Sequence, residues 1–422
     1  MATKAGDNVY PNAMEWATAH GIEVRGVTPT EVPGLGLGMR ATRVIEEDEI
    51  IVTVPSSAMI TIDSIPKTFV ELFPEGSSIH GILAAYLSHG DASSLDRWKE
   101  WRDTWPDPQF FKGSMPVSWV SDLESASAAF QNSGTSYRLL PPAASGSRNT
   151  EEKKLLDFNP EAFYHNILPN QEKRLRSAWD SVLVAFPGTD WDTFSYHWFI
   201  VNTRSFYYVA AGKDEPDDWN DAVGLVPIAD YFNHANDPIL KACMATFDNK
   251  GYTISATRRI EEGEEIYISY GTHSNDYLLI EYGFFLDHNP SDAIFLDDLI
   301  FKDLDKPELE LLRNFDLHGD YKVTQNGPCS RTQKVACLTF MNPNKWREYI
   351  LDPSVNGPDR ETMTNTINGW VDTHLKNCLS TIRTLEDEPR LSILLKRWSQ
   401  IRDLCEATLN GTKIGRGGNG RG

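Results

Sequence analysis

The chain has 422 residues, 40% of them hydrophobic and 24% charged, with 60 Asp and Glu against 40 Lys and Arg for a formal net charge of −20. That apolar content in a chain of this length builds one large or two to three ordinary cores, which excludes disorder as the default state. The acidic balance argues against nucleic acid as a direct partner and favours a basic protein or peptide.

The five cysteines, Cys243, Cys329, Cys337, Cys378 and Cys405, form no CxxC pair, which argues against a disulfide framework or a zinc site. The opening "MATKAGDNVY" has no apolar leader segment, and no run approaches the roughly 18 apolar residues of a membrane span. A soluble intracellular protein is expected.

In chain order, "NAMEWATAHG" reads as a short helix, and "IEVRGV" and "EIIVTVP" read as strands by their β-branched content, with a glycine-rich turn between them. Residues 66–190 change to helical spacing in "GILAAYLS", "LDRWKEWRDTW", "EEKKLL" and "NQEKRLRSAWDSVLVAF", interrupted by the loop "LPPAASGSRNT". A further helix, "WDTFSYHWFIVNTRSF", puts Phe194, Trp198 and Val201 on one face, and strands follow it. Two apolar stripes near the C-terminus, Ile367, Val371, Leu375, Cys378, Ile382 and then Leu391, Leu394, Trp398, Ile401, Leu404, predict two antiparallel helices. The tail "GTKIGRGGNGRG" has the composition of a disordered segment.

An internal echo organises these pieces. "ATRVIEEDEIIVTV" from Ala41 recurs as "ATRRIEEGEEIYIS" from Ala256, a separation far beyond the roughly 20–50 residues of a solenoid repeat. The two copies imply equivalent strand-turn-strand units in one domain whose halves, 13–65 and 191–285, flank a helical insertion at 66–190. An all-α domain at 286–410 and the tail at 411–422 complete the expected layout, an α+β chain.

Three motifs remain to be explained. "GLGLGMRA" lacks the third glycine and the following helix of a dinucleotide fingerprint, leaving a tight turn or a close approach to a ligand. "PIADYFNHAND" sets Asp230, Asn233 and His234 among apolar residues, where buried polar groups need partners; as metal ligands Asp230, His234 and Asp237 are a weaker reading than a hydrogen-bonded core histidine. In "EEIYISYGTHSNDYLLIEYGFF", Ile266, Ile268 and Tyr270 alternate on one strand face, and a helix capped by Ser274 carries Leu278 and Tyr282 to its end at Gly283.

Taken together, "GLGMRATRVIEEDEIIVTVP", "NTRSF", "PIADYFNHAND" and "GEEIYISYG…LLIEYGF" resemble the SET-domain methyltransferases of the Rubisco large-subunit and ribosomal-protein lysine methyltransferase branch. The resemblance covers about two thirds of the chain, including "NAMEWATAHG" and "WRDTWPDPQFFKGSMPVSWV", with little motif support after Phe284. It implies a knotted β-rich SET domain of small sheets, split by the insertion and followed by a helical substrate-binding-like domain.

The resemblance also implies S-adenosyl-L-methionine as cofactor, held by the turn Gly36, Leu37 and Gly38, by Arg204, Asn233 and His234, and by Phe284 against the adenine. A shift by two residues would select Gly34, Leu35 and Gly36 for the turn instead. Phe206, Asp230 and Tyr282 would line a lysine channel, with Tyr270 catalytic and no metal. The partner would be a basic non-histone protein bearing a target lysine, such as a ribosomal protein or translation factor, met by a monomer in the cytoplasm or nucleus. The acidic loop "KDEPDDWND" at 213–221 reads equally as an attractor for that substrate or as a solvated surface. The rival readings are a protein-histidine methyltransferase and a non-catalytic SET-like binding module.

Overall fold

The computed structural model describes residues 9–32, 36–119, 139–145, 166–209, 212, 214–216, 221–248, 250–352, 354, 357–386 and 391–417. They divide into two compact units, one within Met1–Ser118, Gln171–Thr272 and Glu281–His288, the other within Trp119–Asn170, His273–Ile280 and Asn289–Gly422. The expected segment "EEKKLL" and most of the acidic loop lie outside the described residues.

The first unit follows the helix Val9–Ala19 with two four-stranded sheets. Its strands are β1 (Glu23–Val24), β2 (Val27–Val32), β3 (Gly36–Ala41), β4 (Ile50–Pro55), β5 (Ser205–Tyr207), β6 (Val223–Leu225), β7 (Asn233–His234), β8 (Cys243–Asp248), β9 (Gly251–Ala256) and β10 (Glu265–Ile268). One sheet runs β1-β4-β9-β8 and the other β2-β3-β10-β7, while β5 and β6 form a separate pair.

The sequence echo becomes a pseudo-two-fold in the structure. Ile45 and Ile260 exchange both backbone hydrogen bonds, at 3.0 and 2.9 Å. Around that centre the flanking backbone bonds recur in pairs. Asp48 N donates to Ala256 O at 3.0 Å as Gly263 N donates to Ala41 O at 2.9 Å, and Ala256 N donates to Glu49 O as Ala41 N donates to Glu264 O, both at 2.9 Å. Arg43 pairs with Glu49 as Arg258 pairs with Glu264. Asp48 and Gly263 hold the same left-handed turn position, at φ 66° and 84°, which explains the one place where aspartate and glycine replace each other in the echo. Each copy thus gives one strand to each sheet: β3 and β10 pair in one, β4 and β9 in the other.

Helices of the expected insertion share the core of the sheets. Leu83, Trp98, Trp101, Phe111 and Val182 belong to the same buried cluster as Met39, Ile51, Val54, Ile254 and Ile266. Burying such side chains stabilises by about 1.5–3 kcal/mol each, so the helices of 66–118 and 171–185 form part of the core that supports the sheets.

The second unit is mainly helical, as expected, and adds a small antiparallel sheet of β11 (Ala293–Phe295), β12 (Lys322–Thr324) and β13 (Gly327–Pro328) that the periodicity did not reveal. The first apolar stripe falls on the helix Arg360–Glu386 and the second, from Leu394, on Ser392–Gly417, with Leu391 just before it. Cys378 Sγ donates to Trp398 O across the pair at 3.3 Å. The second helix is assigned through Gly417, and residues 418–422 of the expected tail lie outside the described residues.

One charge lies inside the second stripe. Arg397 has no exposed side-chain surface, and its Nε donates to Asp276 at 2.7 Å while Nη1 and Nη2 grip Asp292 at 2.7 and 3.0 Å. Removing it strands two carboxylates, a loss of about 3–5 kcal/mol. Denaturant unfolding of Arg397→Ala should therefore show that loss, whereas Arg402→Ala, which breaks the more exposed Arg402–Asp403 pair, should cost about 0–1 kcal/mol.

Candidate active site

The segment "PIADYFNHAND" opens on a backbone exception. Ile228 is β-branched, fully buried and left-handed at φ 68°, a conformation that costs about 1–3 kcal/mol. It precedes the tight turn Ala229–Tyr231, in which the Asp230 side chain is completely withdrawn from solvent. Asp230 Oδ1 accepts from Trp101 Nε1 at 3.0 Å and Oδ2 from Arg204 Nη1 at 3.2 Å. Burial pushes the Asp230 carboxyl up, and Arg204 and Trp101 draw it back. The carboxylate expected in a channel is therefore engaged in holding Arg204. Arg204 Nη1 also reaches Asp230 O at 3.3 Å, while its Nε is buried and has no hydrogen-bond partner among the described residues.

Next along the chain, β7 lies parallel to β10, with Asn233 beside Tyr267 and His234 beside Ile268. The strand β10 leads directly to Tyr270, whose backbone N donates to His234 Nδ1 at 3.0 Å and whose hydroxyl donates to Phe232 O at 2.7 Å. The first bond makes Nδ1 an acceptor, which in neutral imidazole leaves the proton on Nε2. The Tyr270 ring stacks on His234 at 4.9 Å and meets Tyr282 at 5.3 Å and Phe284 at 6.3 Å. Burial raises the phenols of Tyr270 and Tyr282 far above the usual tyrosine range.

The glycine turn is part of β3, and its two glycines do different things. Gly36 is left-handed at φ 88° with open space around it, whereas a Cβ on Gly38 would lie 2.8 Å from Glu265 Oε1 and 2.9 Å from Asn233 Nδ2. Gly36 serves conformation and Gly38 serves space. Leu37, between them, packs half-buried on the core. Gly34 and Leu35, the alternative register, lie outside the described residues.

The structure thus brings Gly38, Asn233, His234, Tyr270, Tyr282 and Phe284 into one neighbourhood, with Arg204 and Asp230 joined behind the same motif. Phe206 stands apart from the aromatic group: its ring contact is with Tyr252 at 5.5 Å, and it makes none with Tyr270, Tyr282 or Phe284. Three supporting residues escaped the sequence reading. Trp101 came from a segment read only as helical insertion. Glu265 was one acidic residue among many in "EEGEE". Glu281, 2% exposed, accepts from Arg174 Nη2 at 2.5 and 2.7 Å and its carbonyl from Asn202 Nδ2 at 2.7 Å, anchoring the helix end that carries Tyr282. Here a signal existed: a lone acid in the apolar run "YLLIEYGFF" demands a buried partner.

Chemically, the arrangement offers a protonated phenol with its hydrogen committed to a carbonyl, a cluster of aromatic rings, an amide and an imidazole side by side, and a guanidinium with a spare donor. It holds no activated nucleophile among these groups. Such a set can bind and align reactants, and it can stabilise charge.

The SET domain family model matches residues 36–271. Ribosomal lysine N-methyltransferase set11 of Schizosaccharomyces pombe is 33% identical over 225 residues, which is 53% of this chain and 54% of that protein, so the match spans about half of its length. SET domain-containing protein 4 of Homo sapiens is 21% identical over 413 residues, 94% of this chain and 84% of that one. The actin-histidine N-methyltransferase of Canis lupus familiaris is 25% identical over 302 residues, 68% and 45% of the two chains. Among solved structures, Rubisco LSMT bound to sinefungin and monomethyllysine superposes with a TM-score of 0.56 at 15% identity, over 96% of this chain and 91% of that one, a likeness of fold.

The hold on Asp230 can be tested without any ligand. Trp101→Phe keeps the packed ring and removes the indole donor, leaving one buried carboxylate oxygen unsatisfied; equilibrium unfolding should register a loss of about 1–3 kcal/mol. Unchanged stability would mean that water replaces the indole.

Proposed function

Since this chain belongs to the SET-domain family, we propose that it is a protein-lysine N-methyltransferase that uses S-adenosyl-L-methionine. The observation that carries this reading is Tyr270, held between His234 and Tyr282 with its hydroxyl hydrogen bonded to Phe232 O.

The residues present fit the cofactor. Gly38 lets the Asn233 and Glu265 side chains close over the strand, Arg204 Nε is a buried donor suited to a carboxylate, and Asn233 retains its amide oxygen as an acceptor for an ammonium group. Gly36, Leu37, Gly38, Arg204, Asn233 and His234 would hold it, with Phe284 against the adenine. When bound it supplies an electrophilic methyl group on a sulfonium.

The protein's task is then to present a neutral amine. Free lysine, with a pKa near about 10.4, is almost wholly protonated at neutral pH. Apolar and aromatic walls favour the uncharged amine by desolvation, and confinement aligns it. Tyr270 acts as an orienting group. Its phenol stays protonated and its hydrogen is committed to Phe232 O, so its lone pairs are what it offers to the amine or methyl. Tyr282 adds a second ring and hydroxyl to the channel, and Asp230 contributes by fixing Arg204.

Lysine is preferred to histidine as target because the relative at 33% identity is named a lysine methyltransferase. The actin-histidine relatives keep histidine as the second reading. With a net charge of −20, a basic protein is the fitting substrate, a ribosomal protein first among them; the second unit would bind it, in the cytoplasm or nucleus. No helix among the described residues is long and apolar enough to cross a membrane.

Tyr270→Phe should lower turnover by about 10²-fold or more with the cofactor dissociation constant little changed, since the hydroxyl acts on the reacting groups. The pH–rate profile should show no tyrosine ionisation below about pH 10, the phenol being shifted upward. Normal turnover in Tyr270→Phe would return the residue to a packing role. Labelled S-adenosylmethionine with a methyltransferase-deficient extract, followed by fragment spectra, should place the methyl on a lysine Nζ; a methylated histidine ring overturns the lysine assignment.

A further inference from the structure

Asn233 cannot hold a cofactor by its identity alone, because a primary amide has two faces of opposite character. Rotated by half a turn, it presents donors where acceptors are needed. Something must choose the face. In this chain the choice is made one strand away: Glu265 Oε1 accepts from Asn233 Nδ2 at 2.9 Å. A carboxylate accepts only, so the flipped amide would set oxygen against oxygen.

Three further features converge on that bond. Tyr267, two residues along β10 and on the same face, donates its hydroxyl to Glu265 Oε2 at 2.8 Å, so the carboxylate is held from both sides. Gly38 gives the bond its space, since a Cβ there would press on Glu265 Oε1 and Asn233 Nδ2 together. The register of β10 is fixed on both edges, by Glu265 opposite Arg40 of β3 and by Tyr267 beside Asn233 of β7.

We infer that Glu265 is a positioning residue: it locks the Asn233 amide so that Oδ1 faces the amino-acid end of S-adenosyl-L-methionine, with Gly38 leaving room for the lock. This rests on the cofactor reading above. Glu265 touches no reacting atom; it acts through Asn233.

The test is calorimetric binding of S-adenosylmethionine to the full chain, with thermal midpoints recorded beside it. Glu265→Met keeps length and removes the acceptor, and should weaken binding by roughly tenfold. Glu265→Gln keeps a carbonyl acceptor and should stay within about threefold of wild type. In the Asn233→Ala background, adding Glu265→Met should change the dissociation constant by less than about twofold, because the two side chains form one unit. Equal affinity in wild type and Glu265→Met, or losses that simply add in the double variant, would overturn the role even if the thermal midpoint falls. Wild-type protein that fails to bind S-adenosylmethionine removes the cofactor reading itself, whereas binding wild type with an unmoved Met variant removes Glu265 alone.

Discussion

Two isoleucines exchange backbone hydrogen bonds at the centre of the first unit, and both sheets follow from that exchange. Ile45 and Ile260 sit at corresponding places in the echoed segments, so their reciprocal pairing sends β3 toward β10 and β4 toward β9 in a single stroke. The surrounding backbone bonds, the left-handed turn positions and the Arg–Glu pairs repeat on either side. The site inherits this crossing. Gly38 lies in the strand leading into one copy and Glu265 in the other, and β7 lies parallel to β10 on the edge opposite β3.

Around this frame, three buried charges have their polar ends met by partners. Asp230 has an indole on one oxygen and a guanidinium on the other, Glu281 has Arg174 and Asn202, and Arg397 in the second unit has two aspartates. Isolated, any of these charges would cost several kcal/mol. The left-handed Ile228 is the corresponding cost on the backbone, localised where the chain must turn Asp230 inward before returning Asn233 and His234 to a strand.

Much of this was legible. The echo, the strand "EIIVTVP", the helix from Ser274 to Gly283 and the two C-terminal stripes rest on local periodicity and capping, which short stretches of sequence express directly. The grouping of Asn233, His234, Tyr270, Tyr282 and Phe284 was legible through motif order. What stayed hidden was pairwise and remote. Trp101 meets Asp230 across well over a hundred residues, and nothing in "KEWRDTW" distinguishes an indole that donates to a carboxylate from one that merely packs. The stripe around Arg397 records which residues are apolar and says nothing of a charge with buried partners. Phe206, expected in the channel from the resemblance, has its ring contact with Tyr252. The sheet β11-β12-β13 was missed because strands of two or three residues carry too few alternations to register.

The crossing also has a consequence for synthesis. The hairpin of β2 and β3 is complete early in translation, but the strand that covers its open edge arrives with Glu265, more than two hundred residues later; at about 5–20 residues per second, that interval lasts roughly ten to forty seconds. Until then the nascent chain carries an unpaired strand edge, the feature that invites pairing with other chains. Charged side chains at Glu31 and Arg40 stand on that hairpin during the wait. The β2-β3-β10-β7 sheet therefore cannot be complete before β10 has been synthesised, so Gly38 waits for Glu265 through most of the making of this unit.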